Sequence, residues 1–185
     1  MSYIVTYKGH KFDYLNIGSN IFDIEDAVHS LANQNRYLGH AENQITVLEH
    51  SLIVYNLVVE SYGKGDDVLW HNRRPSFRKP IDELEIQYIG NTLMAALSHD
   101  FTETYVGDMP APLKQLIPSF KEIELEIGDW ILDKLKIVKN AVDWERIKDA
   151  DILARHVEHR VKRNSDISKI KEQAINLCRK MFPVL

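Results

Sequence analysis

Hydrophobic and polar positions alternate along most of the chain at the spacing of an α-helix. Apolar residues three and four positions apart predict a helix that begins near Ile24, behind the capping residue Asp23, and ends near residues 33–35. The same pattern predicts further helices over residues 43–61, 81–100, 118–137, 144–162 and a last one ending near 181. Residues 3–15 alternate in character around Lys8-Gly9, which predicts a short β-hairpin. We therefore expect a mainly α fold with a short N-terminal hairpin.

The segments between the helices differ in composition. Residues 62–80 contain two glycines, two prolines and basic residues that include Arg73, Arg74, Arg78 and Lys79, and they predict an insertion between helices that lies over a site. Residues 107–112 are expected to form a stiff loop, because prolines fix φ and lack a backbone donor. The predicted caps of the last two long helices are Asp143 and, for the final one, Ser165 or Asp166. The organisation expected is one domain over residues 1–185, with the hairpin in residues 1–20.

Length and composition limit the classes of function. A chain of 185 residues fits one domain, and 44% hydrophobic with 27% charged residues is ordinary for a globular protein. A formal net charge of −4 argues against nucleic acid as the partner. No signal peptide and no apolar run of about 20 residues is present, so no membrane partner is expected. The single cysteine, Cys178, is interpreted as core filler in a reducing compartment, which predicts a cytoplasmic protein.

Candidate chemistry is concentrated where an apolar run meets His99 and Asp100. On a continuous helix, Glu103 would share a face with both. His50 and Asp151 lie on two other predicted helices. Two imidazoles and two carboxylates form a mixed N/O set that suits one divalent ion (Mn, Co, Mg, Fe or Zn) and leaves positions open for water and substrate.

Each of these residues also has an ordinary interpretation. The His-Asp pair could end a helix at the surface, His50 could be a hydrogen-bonded core histidine, and Asp151 could be a solvated charge on an amphipathic helix. Spacing alone does not unite them.

The order of these residues resembles the H…HD…D pattern of the HD-domain phosphohydrolases, an all-α superfamily. Within it the chain is most similar to the 5′-deoxynucleotidases and to small phage enzymes that remove triphosphate from deoxyadenosine triphosphate. The matching stretches are residues 23–26, 36–40, 49–51, 99–103, 107–114 and 148–151. The Gly-Asp-Met-Pro-Ala-Pro-Leu-Lys stretch at 107–114 is more specific than the His-Asp pair, and the resemblance covers roughly residues 20–160.

The resemblance implies a metal centre. One divalent ion would be held by His50, His99, Asp100 and Asp151. The catalytic residues would be Asp100 and Glu103, the latter orienting or deprotonating the attacking water or protonating the leaving oxygen. Such an ion lowers the pKa of its water and neutralises phosphoryl charge.

The resemblance also implies a substrate site. Arg36 would bind phosphate through its planar fork of donors, and Asp108 would bind the sugar hydroxyl. His40 is expected to line the pocket, and Lys114 to assist unless it is simply a surface lysine. Tyr37 stands where the deoxynucleotidases have a tryptophan beside the sugar. Tyrosine is narrower and carries a hydroxyl, so the preference for deoxyribose stays open.

The function expected is hydrolysis of a deoxynucleoside monophosphate to deoxynucleoside and phosphate. The close alternative is release of triphosphate from a dNTP, for which the basic insertion at 62–80 would neutralise the longer tail unless it is a solvated loop. An alternative of another class is an inactive HD module used for binding or regulation. An HD nuclease is disfavoured by the acidic balance. The partner expected is a small nucleotide, and the resemblance suggests a homo-oligomer.

Overall fold

A computed structural model of the chain describes residues 2–42, 44–63, 82–158 and 167–182. It confirms a mainly helical bundle with a two-stranded antiparallel hairpin at the N-terminus. The strands are β1 (Tyr3–Val5) and β2 (Lys11–Asp13). The helices are α1 (Ile24–Asn33), α2 (Val47–Gly63), α3 (Glu83–Ser98), α4 (Glu103–Val106), α5 (Ala111–Leu116), α6 (Pro118–Lys134), α7 (Trp144–Glu158) and α8 (Ile167–Met181).

The hairpin is fastened to the bundle by one aromatic side chain and one carboxylate. Phe12 is buried and stacks on Tyr105, with ring centroids 3.9 Å apart. Asp26 in α1 accepts hydrogen bonds from the Thr6 hydroxyl and the Lys8 backbone N–H, each at 2.7 Å, and lies 2.8 Å from His10 Nδ1. These three contacts join the hairpin to α1.

Helices α2 and α7 form the centre of the bundle. On α2 the residues at 47, 50, 51, 54 and 58 are all buried, which is the helical stripe that faces the core. His50 at one end of α2 contacts Glu158 of α7, whereas Ser61 at the other end contacts Arg146. The two helices are therefore antiparallel, and their polar contacts are at their two ends.

Two local predictions are wrong in detail. Helix α3 ends at Ser98 rather than at Asp100, because the chain tightens there: Phe101 N–H bonds the Ser98 carbonyl and Glu103 N–H bonds the Asp100 carbonyl, three residues back in each case. The expected loop at residues 107–112 gives way to α5 from Ala111. Prolines fit the first turn of a helix, whose N–H groups have no partner within the helix.

Other predictions are confirmed or lie elsewhere. Asp23 caps α1, Asp143 accepts the Arg146 N–H at the start of α7, and Cys178 is buried in the core. The predicted insertion beyond Gly63, the predicted helical residues 159–162 and the predicted cap at 165 or 166 lie outside the described residues. In the part of the chain that the structure describes, no helix combines the length and apolar character needed to cross a membrane.

Candidate metal centre and its cavity

The four residues predicted to bind a metal lie around His50 although they come from three segments. His50 Nε2 lies 3.3 Å from His99 Nε2, 3.5 Å from an Asp100 oxygen and 3.2 Å from an Asp151 oxygen. His99 Nε2 lies 3.2 Å from Asp100. The ends of α2 and α3 thus bring ligand atoms of His50, His99 and Asp100 within 4.8 Å of one another, and the middle of α7 adds Asp151 beside His50.

In each histidine ring, the partner of Nδ1 determines whether Nε2 carries a hydrogen or a lone pair. His99 Nδ1 lies 2.8 Å from the Ala96 carbonyl, and His50 Nδ1 is bonded to the Glu158 carboxylate. Both partners only accept hydrogen bonds, so each Nδ1 carries a hydrogen, and each ring, when neutral, turns the lone pair of Nε2 toward the other ring and the carboxylates. Toward one another the two Nε2 atoms and the two carboxylates then present only acceptors, while Arg36 donates to Asp100 and Arg155 donates to Asp151.

This acceptor-only cluster fits a divalent cation. Two ligands each about 2.1 Å from an ion, at tetrahedral or octahedral angles, are themselves about 3.0–3.4 Å apart. The separations of 3.2, 3.3 and 3.5 Å match that spacing. Mixed nitrogen and oxygen donors suit Mn, Co, Fe, Mg or Zn.

The electrostatic field of the cluster favours positive charge. Burial alone would lower the pKa of His50, yet its bonds to Asp151 and Glu158 and the charge of Asp100 raise it above the ordinary value. A proton therefore competes with a metal ion for the same place. Burial also opposes ionisation of Asp100, but His99, His50 and Arg36 hold the pKa of that carboxyl well below its usual range. Burial also opposes ionisation of Asp151, but His50 and Arg155 lower its pKa to about 2.

The pKa of Glu103 is shifted in the opposite direction from those of Asp100 and Asp151. It begins α4, is only 6% exposed, and among the described residues its Oε2 atom has no hydrogen-bond partner. Burial and then the charges of Asp100 and Asp108 raise the pKa of Glu103 to about 9. At neutral pH this carboxyl therefore holds a proton in the metal-free protein. An ionised cluster and a protonated acid lie side by side, a pairing typical of acid–base sites.

Arg36 and Tyr37 approach the cluster from the turn after α1. Arg36 Nη1 lies 3.4 Å from Asp100 and its Nε 3.5 Å from Glu158, while the Tyr37 hydroxyl donates to Glu158 at 2.7 Å. The turn is unusual because Tyr37, Leu38 and Gly39 have φ angles of 57°, 54° and 77°. Gly39 adopts its positive φ at no steric cost, but each of the two larger residues costs about 1–3 kcal/mol.

A cavity of about 520 Å³ opens beside the cluster. Its lining includes His99, Asp100 and Glu103, apolar side chains of α6, and Trp144. Lys114 also lines it, and its ammonium pairs with Glu124. The volume lies in the range of small-molecule sites, and the lining combines a polar end with an apolar wall.

The remaining predicted residues lie farther out. Asp108 follows α4, its backbone N–H bonds Gln34 Oε1 at 3.2 Å, and its charge reaches Glu103. His40 ends the strained turn and is exposed to solvent. The structure thus gathers His50, His99, Asp100 and Asp151 with Arg36 and Glu103. Tyr37 is connected to His50 through Glu158, and His40 lies at the surface.

Glu158 was not identified from the sequence. It is 2% exposed and contacts His50, Tyr37 and Arg36. It lies seven residues after Asp151, two turns of α7, so the two carboxylates share a helix face. That spacing is the signal in the sequence that could have revealed it.

Comparison with known proteins gives little more. No model of a known protein family matches the chain. The chain is similar to a protein of Escherichia coli (strain K12) named YfdR, at 29% identity over 160 residues, which cover 86% of this chain and 72% of that protein. YfdR is described as an uncharacterized protein, so the similarity carries no activity with it.

Proposed function

We propose that this chain is a divalent-metal-dependent phosphohydrolase of the HD-domain kind that converts a deoxynucleoside monophosphate to deoxynucleoside and phosphate. The observation that carries the proposal is the acceptor-only cluster, with two histidine Nε2 atoms 3.3 Å apart and two ionised carboxylates around them. His50, His99, Asp100 and Asp151 would hold the ion. An ion held there supplies Lewis-acid chemistry, because it lowers the pKa of coordinated water and neutralises charge on phosphoryl oxygens.

Arg36 is the residue proposed to bind the phosphoryl group. Its guanidinium lies at the edge of the cluster, 3.4 Å from Asp100, and is held in place by that contact and by Glu158. A planar guanidinium with a fixed orientation binds phosphate oxygens in a defined direction. Asp108 would accept a hydrogen bond from the sugar hydroxyl, and Tyr37 would lie beside the sugar.

Glu103 is the proposed general acid. The bond from the attacking water oxygen to phosphorus forms as the bond from phosphorus to the 5′-oxygen breaks, and the leaving oxygen needs a proton. In the metal-free protein a carboxyl whose pKa is raised to about 9 carries that proton at neutral pH. Glu103 lines the same cavity as His99 and Asp100, which supports the role of acid.

The charges around the cluster favour a monophosphate over a triphosphate. Among the described residues, the carboxylates of Asp100, Asp151 and Glu158 are balanced in part by the guanidinium groups of Arg36 and Arg155. With a divalent ion added, one net positive charge remains, enough for a monophosphate monoester but well short of a triphosphate tail. The lysines that line the cavity, Lys114 and Lys139, are already paired with Glu124 and Asp129.

Product analysis tests the proposal. The purified chain with Mn²⁺ or Co²⁺ is incubated with each dNMP and dNTP, and both orthophosphate and triphosphate are measured. We expect orthophosphate from dNMPs, and none from an Asp100→Ala variant purified in the same way, which excludes a contaminating phosphatase. Triphosphate from a dNTP with dNMPs untouched would replace the proposed substrate by the longer one. If neither product forms, the enzyme proposal is wrong and an inactive binding module becomes the better account.

A further inference from the structure

Glu158 occupies a position that the hydrolysis chemistry does not use directly. It is a buried carboxylate at the last residue of α7. One oxygen is bonded to His50 Nδ1, and the other accepts the Tyr37 hydroxyl at 2.7 Å and lies 3.5 Å from Arg36 Nε. A buried carboxylate is costly unless its partners compensate for lost hydration, and here the partners come from two functional segments.

The contact with His50 fixes which ring nitrogen carries the hydrogen. Because a carboxylate can only accept, it keeps the hydrogen on Nδ1 and the lone pair on Nε2, toward His99 and Asp151. An amide at this position has one oxygen and one NH₂ group. If its oxygen faces Tyr37, its NH₂ group opposes the Nδ1 hydrogen, and the preferred tautomer is lost.

The contacts with Arg36 and Tyr37 hold the strained turn. Two non-glycine residues in succession, Tyr37 and Leu38, have left-handed backbone angles. Such angles persist only where surrounding contacts determine them. Leu38 is largely exposed, so the side chains that hold the turn are those of Arg36 and Tyr37, and both contact Glu158.

We propose that Glu158 is a positioning residue that builds the metal site and the phosphate-binding turn as one unit. Its carboxylate orients His50 for the ion and anchors Arg36 and Tyr37 for the phosphoryl group. The inference rests on the metal site proposed above and adds to it a role for a residue that binds neither metal nor substrate.

Metal affinity and ring tautomer test the first half. Glu158→Gln keeps the size of the side chain, and the matched control is Ser61→Ala, which removes the 2.9 Å bond to Arg146 at the opposite end of the same two helices. For Glu158→Gln we expect Mn²⁺ affinity to fall about 10- to 100-fold by calorimetry. The ring-nitrogen NMR signals of His50 in the metal-free protein should also show loss of the single tautomer. Ser61→Ala should keep Mn²⁺ affinity within about twofold and the His50 signals unchanged.

Phosphate binding tests the second half. Tyr37→Phe removes the hydroxyl that reaches Glu158 and leaves the ring and His50 in place. With Mn²⁺ bound, its affinity for inorganic phosphate should fall about fivefold, the value of one lost hydrogen bond, while Mn²⁺ affinity stays within about threefold of wild type. Glu158→Gln should lose affinity for both ligands.

The outcomes separate this inference from the proposed function. Wild-type Mn²⁺ affinity and an unchanged His50 tautomer in folded Glu158→Gln would overturn the positioning role while leaving the metal site intact. If that variant does not fold, Tyr37→Phe provides the test. Unchanged phosphate affinity in Tyr37→Phe would overturn the claim that Glu158 joins the metal site to the phosphate-binding turn. A wild-type chain that binds no Mn²⁺ would instead remove the metal site, and the inference with it.

Discussion

The two ends of the α2–α7 pair carry polar clusters of similar burial and opposite balance. At one end, the Arg146 side chain donates to Ser61 at 2.9 Å and to Asp143 at 3.2 Å and lies over the Tyr62 ring at 4.4 Å. Ser61 and Asp143 thus each accept from a donor of the protein itself. At the other end, His50, His99 and Asp100 each place a ligand atom within 4.8 Å of one another, and Asp151 adds a fourth.

The comparison separates structural from functional polarity within one helix pair. Where donors and acceptors balance, the cluster ties two helices together and needs no ligand. Where acceptors face acceptors, the cluster favours a cation, and the raised pKa of His50 has the same cause. That cluster also borders a cavity that its own His99 and Asp100 line.

Removing Asp100 should produce the largest effect, because it takes a carboxylate from the acceptor cluster and a partner from Arg36. We expect Asp100→Ala to lose more than about 10³-fold in kcat/KM, together with most Mn²⁺ binding. Asp149→Ala, an exposed carboxylate on α7, is the control and should match wild type. Wild-type turnover by Asp100→Ala would eliminate the site assignment.

Glu103→Gln should separate catalysis from metal binding. Because Glu103 is the proposed acid, the substitution should lower kcat about 10²- to 10⁴-fold while Mn²⁺ affinity is retained. Its folded-state pKa is raised, so the metal-free wild type loses stability as pH rises above the unfolded value near 4.5 and toward 9. Glutamine does not ionise, so the variant should be more stable than wild type at pH 8, by at least about 1 kcal/mol, and similar at pH 4. Thermal unfolding with EDTA at both pH values checks this, and a variant less stable at pH 8 would contradict it.

Asp151→Asn should show how much the ionised Asp151 carboxylate contributes to the stability of the metal-free protein. The folded-state pKa of Asp151 is about 2 against 3.8 unfolded, so the carboxylate stabilises the metal-free protein above pH 3.8, and the contribution is lost as pH falls toward 2. Urea unfolding with EDTA should show the wild type losing about 2 kcal/mol more than Asp151→Asn between pH 5 and pH 2. Asp149→Asn should follow the wild type, and equal losses in all three would show that Asp151 is not ion-paired in the fold.

Asp143→Ala should have the smallest effect and only on stability. Asp143 caps α7 and pairs with Arg146 at the balanced end. We expect a loss of about 1–2 kcal/mol in the free energy of unfolding, with kcat and Mn²⁺ affinity unchanged. A large loss of Mn²⁺ affinity would mean that the two ends of the helix pair are not independent.

The elements of the fold could be read from the sequence because helical periodicity is local. The caps at Asp23 and Asp143 were predicted for the same reason. The end of α3 was not, because an apolar stripe does not distinguish bonds to the fourth residue back from bonds to the third. Helix α5 was missed because its prolines were read as loop residues rather than as first-turn residues.

The site was only partly accessible from the sequence. His50 and Asp151 are one hundred and one positions apart, and no local pattern places them 3.2 Å from each other. The packing of α2 against α7 does so. Glu158 was missed because a lone glutamate near a predicted helix end ordinarily faces solvent. The expected homo-oligomer, the cytoplasmic location and the role of the insertion stay predictions.

Titration of the metal-free chain with Mn²⁺ tests the central claim most directly. Calorimetry at several pH values gives the stoichiometry and the dependence of the affinity on pH. The account predicts one ion per chain, with affinity that weakens as pH falls because protonation of His50, whose pKa is raised, competes with the ion. It also predicts loss of that binding in Asp100→Ala. Absence of binding by the folded wild-type chain, or equal binding by Asp100→Ala, would contradict it.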